Sequence, residues 1–177
     1  MSARFRKIDV RLWSDEKFRV LSRDAKLIFV FLLSCPQQSM IGAMRATIPG
    51  LAAELQMTER EFRAAFQELT ARGMVKLNEK AALVWLPNWL RYNRPESPNV
   101  VKCWRTVVQV LPECKLKDQI VLKLKAFAEG LPEAWRHPFL NQEQEQEQEQ
   151  KDQNQNPRKS SQKVDSSVTL FPSLRAH

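Results

Sequence analysis

Apolar residues recur along this chain first at helical spacing and then in short strand-like runs, and the alternation divides it into elements. Phe62, Ala65, Phe66 and Leu69 fall three and four apart, which predicts one buried stripe on a helix starting after Thr58. Thr58 and Glu61 form a capping box: the hydroxyl takes a free backbone N–H of the first turn, and the carboxylate reaches back to the Thr58 N–H. Met57 stands just before the cap, where it can pack on Phe62 as a staple. Arg60, Arg63, Gln67 and Thr70 make up a separate polar face, and Gly73 follows Arg72 where a left-handed residue closes a helix. Upstream, Thr47 is expected to cap a shorter helix, with Pro49 in its first turn. Leu51, Ala52 and Leu55 face inward there, and Ala53 is small enough for close helix approach. Downstream, the apolar runs 74–77 and 81–86 flank Asn78, Glu79 and Lys80 and predict a β-hairpin.

The flanking segments extend the pattern. Arg4 to Trp13 reads as an extended basic arm, anchored by Phe5, Ile8, Leu12 and Trp13 and charged by Arg4, Arg6, Lys7 and Arg11. It either crosses a phosphate backbone or lies over the core with solvated charges. Ser14 is expected to cap a short helix to Val20, and Ser22 a longer one from Arg23 to about Cys35. The second is apolar on nearly all sides, which predicts a buried central helix. After Pro36, Met40 to Ala46 reads as a short strand, and Pro87 to Tyr92 turns away from the hairpin. Ser97 and Pro98 open a helix to about Val110. A second helix, about Lys115 to Glu129, carries Leu116, Ile120, Leu124 and Phe127 on one face, with Lys117, Lys123 and Lys125 elsewhere. From Asn141 to Gln150 the chain alternates Gln and Glu, has no apolar face, and is expected to be disordered.

The expected fold is therefore mostly α with a small β-sheet, an α+β class. It comprises a winged helix-turn-helix over residues 1–95, a helical extension over 96–140 and a disordered low-complexity tail over 141–177. In such a fold the helix after Thr58 enters a DNA groove, where Arg can bond guanine and Gln adenine in bidentate fashion. Arg60, Arg63, Gln67 and Thr70 are the candidate contacts of that helix, and Lys76 and Lys80 those of the hairpin to phosphate. Glu59, Glu61 and Glu68 repel phosphate, and the polar face also fits an ordinary solvated helix.

Charge and cysteine usage refine this picture. Residues 1–140 hold 23 Lys and Arg against 14 Asp and Glu, whereas 141–177 are close to neutral. A basic folded region suggests nucleic acid or another anionic surface. Three cysteines, Cys35, Cys103 and Cys114, have no metal-ligand spacing and read as reduced, buried thiols of a cytoplasmic chain. The first residues have no apolar run after their charges, so no signal peptide is expected. Two histidines, His137 and His177, and four glycines offer neither a catalytic triad, a zinc set nor a phosphate loop. No enzymatic activity, metal or cofactor is expected.

Four segments resemble small phage and prophage replication proteins: residues 4–22, 42–52, 84–93 and 95–102, with the Gln-Glu tail. The resemblance implies a winged-helix module similar to the N-terminal domain of phage replisome organisers and DnaD-type primosome proteins. It further implies binding to origin or single-stranded DNA and a replicative helicase or its loader as partner. The other expectations are a winged-helix transcriptional regulator, which would need a dimer and a two-fold operator, and a protein-interaction adaptor that binds no DNA. Near the end, Ser167-Val-Thr-Leu-Phe partly resembles the bacterial sliding-clamp binding pentapeptide. Val168, Leu170 and Phe171 match its apolar positions, and Ser167 stands in place of the leading glutamine; an inert tail is the other reading.

Overall fold

The structure is a computed structural model that describes Arg6 and residues 8–136. All of these lie in one compact unit that ends at Leu140. Its elements are α1 (Glu16–Arg19), α2 (Arg23–Ser34), β1 (Ala43–Arg45), α3 (Ile48–Glu54), α4 (Glu59–Ala71), β2 (Lys76–Asn78), β3 (Leu83–Trp85), α5 (Trp89–Tyr92), α6 (Pro98–Gln109) and α7 (Lys115–Glu129). The molecule is thus mostly helical with one small antiparallel sheet, an α+β arrangement.

The sheet has the order β1-β3-β2. Met44 and Leu77 both face Val84 across the central strand, and Ala43 and Lys76 both face Trp85. Leu83, Val84 and Trp85 are all buried, which is why this strand is a continuous apolar run without alternation. β1 is shorter than the expected Met40 to Ala46. Gly42 takes φ +75 and a turn occupies the residues before it, so pairing starts only at Ala43.

Helix α4 packs against α2 and α3. Phe62, Ala65, Phe66 and Leu69 are all buried, and the Phe62 and Phe66 rings stack 5.5 Å apart. The capping box forms as expected: the Glu61 N–H donates to the Thr58 hydroxyl oxygen at 3.3 Å, and the Thr58 N–H to the Glu61 carboxylate at 3.0 Å. At the other end Gly73 takes φ +66. The Met74 N–H reaches the Leu69 carbonyl at 3.0 Å and the Gly73 N–H the Thr70 carbonyl at 2.9 Å, a Schellman closure. Glu68 leaves the helix to accept the Ser22 N–H at 2.9 Å, tying α4 to the cap of α2.

Several local expectations are corrected. The segment before α1 is not extended throughout, because Val10–Ser14 coils into a 3-10 turn capped by Asp9, whose carboxylate accepts the Arg11 N–H. Asp15, not Ser14, caps α1; Ser14 is already inside the turn, and the Asp15 carboxylate accepts the Phe18 N–H at 3.1 Å. Helix α2 is central but not buried all round: Ala25, Ile28, Phe29 and Leu32 face the core while Leu27 is 50% exposed. In α3 it is Ala52 that is buried and Ala53 that faces solvent. Residues 89–92 form a short helix with Trp89 and Leu90 buried. Ser97 precedes α6 without a side-chain cap bond. Lys117 is buried beside the helix stripe, held by the Leu111 carbonyl and the Glu113 carboxylate. Helices α6 and α7 share the core through Val101, Trp104, Ile120 and Leu124.

A Cβ on Gly42 would stand 2.3 Å from the Trp89 Cβ at a left-handed φ, whereas one on Gly73 would meet nothing within 4 Å. Gly73→Ala should therefore cost about 1 kcal/mol from its backbone alone, and Gly42→Ala about 3 kcal/mol or more, as read by urea unfolding. Glu61 is held below its ordinary 4.5 by the Thr58 hydroxyl, then the Thr58 N–H, and Glu68 by bonds from Ser22. Because both folded values are depressed, their stabilisation is complete above pH 4.5 and is lost as pH falls through them. Thermal scans between pH 6 and pH 3 should show a smaller fall for Glu68→Gln than for the wild type.

Candidate nucleic-acid interface

The expected contact residues divide into engaged and available groups. On α4, Arg60 and Gln67 are exposed, and the Arg60 side chain makes no hydrogen bond or ion pair with another described residue. Thr70 is half-buried and donates its hydroxyl to the Gln67 carbonyl at 3.0 Å. Arg63 is fully engaged: it pairs with Glu59 one turn earlier at 2.7 Å and with Glu79 on the hairpin loop. Those two carboxylates, Glu59 foremost, hold its guanidinium above its already high ordinary pKa. The pairing locks α4 to the hairpin and neutralises the central cation of the polar face.

The hairpin shows the same division. Lys76 lies at the sheet edge, donates to the Gln119 side chain of α7 at 2.7 Å and stands 5.6 Å from the Trp85 ring centroid. It joins the hairpin to α7 and does not point away as a separate cation. Lys80, in the loop, is exposed. That loop is built without glycine: Ala82 takes φ +47, and the Asn78 side chain accepts the Ala81 N–H at 3.0 Å.

The basic arm is also redistributed. Arg6 lies over the Trp89 ring, 5.5 Å from its centroid, and donates to the Gln38 carbonyl. Arg11 forks onto Asp9 and draws that carboxyl down to about 2. Arg4 and Lys7 lie outside the described residues, as do Val168, Leu170 and Phe171 and the whole expected disordered tail.

A second feature was not singled out in the sequence. A cleft of about 370 Å³ opens beside α5, walled by Arg6, Trp89, Tyr92, Arg94, Glu96 and Trp104. Tyr92 is 45% exposed, and the Arg91 guanidinium lies 5.6 Å from its ring centroid. Arg94 is exposed. The interleaving of aromatics and arginines in Trp89-Leu-Arg-Tyr-Asn-Arg94 is the signal that could have found it. A smaller apolar groove of about 110 Å³ lies between the 3-10 turn, α2 and α5, with Leu12, Leu33 and Met74 in its walls.

Of the cysteines only Cys35 is buried, and burial raises its thiol pKa; Cys103 is exposed, which corrects the expectation of buried thiols. Among the described residues no three His, Cys, Asp or Glu side chains gather as a metal site, and no helix is long and apolar enough to cross a membrane. Comparison with protein-family models, curated proteins and solved structures finds no match to this chain.

The two hairpin lysines should separate by stability. Lys76→Ala should lower the unfolding free energy by about 0.5–1 kcal/mol through loss of its aromatic and Gln119 contacts. Lys80→Ala should leave it unchanged in the same urea titration.

Proposed function

We propose that this chain is a DNA-binding replication protein of phage or prophage origin, built on a winged helix-turn-helix. The observation that carries the reading is the order α2-β1-α3-α4-β2-β3 with the antiparallel sheet β1-β3-β2. That order sets a capped amphipathic helix beside a two-stranded hairpin, the arrangement by which winged helices offer one helix to a major groove. The basic balance of residues 1–140 supports an anionic partner, and Arg60, Gln67 and Lys80 are exposed on the α4 side. Replication, rather than transcription, is favoured by the motif likeness to phage replisome organisers and primosome proteins. On this reading a replicative helicase or its loader is the protein partner, and the tail segment around Leu170 and Phe171 is a candidate docking peptide for a sliding clamp.

One observation favours a second reading, an adaptor that binds protein through α4. Glu59, Glu61 and Glu79 balance Arg60, Arg63 and Lys80 on that side, and Arg63 is already paired. A face of balanced charge is poorly matched to phosphate and better matched to a mixed polar protein surface.

Fluorescence anisotropy with the full chain separates the two. Labelled single-stranded and duplex DNA of matched sequence should both be tested at low and moderate salt. Binding that weakens steeply with salt is expected, since released counterions drive phosphate contacts. Absence of binding to either probe at low salt would overturn the DNA reading and leave the adaptor.

A further inference from the structure

We propose that the cleft beside α5 is a single-stranded nucleic-acid site, in which a base stacks on the Tyr92 ring and the adjoining phosphate meets Arg94. This inference rests on the DNA reading above, and it moves the principal contact from α4 to the corner formed by α5 and the residues after it.

The geometry carries it in three ways. The cleft, at about 370 Å³, falls within the size range of sites that hold a small organic group. Its wall offers a half-exposed aromatic ring beside an exposed guanidinium, and single strands are held by that combination: flat π-faces for bases and cations for the backbone. The Trp89 part of the wall is also fixed in advance. The Trp89 indole N–H donates to the Met40 carbonyl at 3.0 Å, its ring carries Arg6 on one face, and the Asn93 amide donates to the Trp89 carbonyl at 3.3 Å. A site ordered before binding loses less entropy when it is filled.

Charge favours this corner over α4. Two guanidiniums, Arg6 and Arg94, line the cleft with one carboxylate, Glu96. On the α4 side Glu59 and Glu79 hold Arg63. Stacking on Tyr92 needs a base whose face is uncovered. A single strand supplies one and a duplex, whose bases cover each other, does not. The expected preference is therefore for single strands, with little dependence on sequence.

The test is anisotropy of the full chain with a labelled oligothymidylate and a duplex of the same length. Tyr92→Ala should weaken single-strand binding tenfold or more, while Tyr92→Phe should bind like the wild type. Arg94→Ala, at an exposed position, should weaken binding and reduce the salt slope by about 0.7. Arg60→Ala should weaken single-strand binding less than either Tyr92→Ala or Arg94→Ala. If Tyr92→Ala and Arg94→Ala bind as the wild type does while Arg60→Ala loses affinity, the cleft is overturned and the DNA reading stands on α4. If the wild type binds no DNA at low salt, the DNA reading itself falls and takes the cleft with it.

Discussion

The close approach of Trp89 to Gly42 is the constraint on which the rest of the described structure depends. The indole packs where any side chain at position 42 would collide, and its N–H is bonded to the Met40 carbonyl. The Leu86 N–H donates to the Gly42 carbonyl at 2.8 Å, so the chain leaving β3 is tied to the chain entering β1. The three-residue strands β1 and β3 are too short to hold register by their ladder alone. The Trp89 anchor supplies what they lack, and it places α5 at the sheet margin.

From that anchor two surfaces follow. On one, α4 is seated by Phe62 and Phe66 on the core and joined to the hairpin through Arg63 and Glu79. On the other, Arg6, Tyr92 and Arg94 gather around the outer side of Trp89. The first surface exposes few uncommitted cations because its arginine and its sheet-edge lysine serve the fold. The second keeps an exposed ring and an exposed guanidinium. The same residue type thus has opposite surroundings: Arg63, between two glutamates, is a brace, and Arg94, lining the cleft, is exposed.

The local devices of the fold were legible in the sequence because each depends only on residues within one helical turn. The Thr58–Glu61 box, the Ser22 and Thr47 caps and the Gly73 closure all bond within five positions along the chain. The apolar stripe of α4 was readable for the same reason, since one periodic face must be covered by something. Where the local reading failed, a neighbour competed. Ser14 lost its cap role because Asp9 and Arg11 drew it into a 3-10 turn. Leu27 looked like core and is half-exposed because α4 covers only one side of α2.

The sequence by itself determined the longer helices α2, α3, α4, α6 and α7, the hairpin, the order of the elements and the basic balance of residues 1–140, since these rest on spacing, capping and counting. Only the tertiary structure decided which charges are spent internally. Arg63 meets Glu79 across 16 positions, Lys76 meets Gln119 across 43 and Arg6 meets Gln38 across 32. No periodic pattern encodes such pairings, because they arise when separate elements are brought side by side. The cleft beside α5 belongs to the same class: its walls come from Arg6, Met40 and the stretch from Trp89 to Trp104, and Trp89 unites them only once Gly42 has made room.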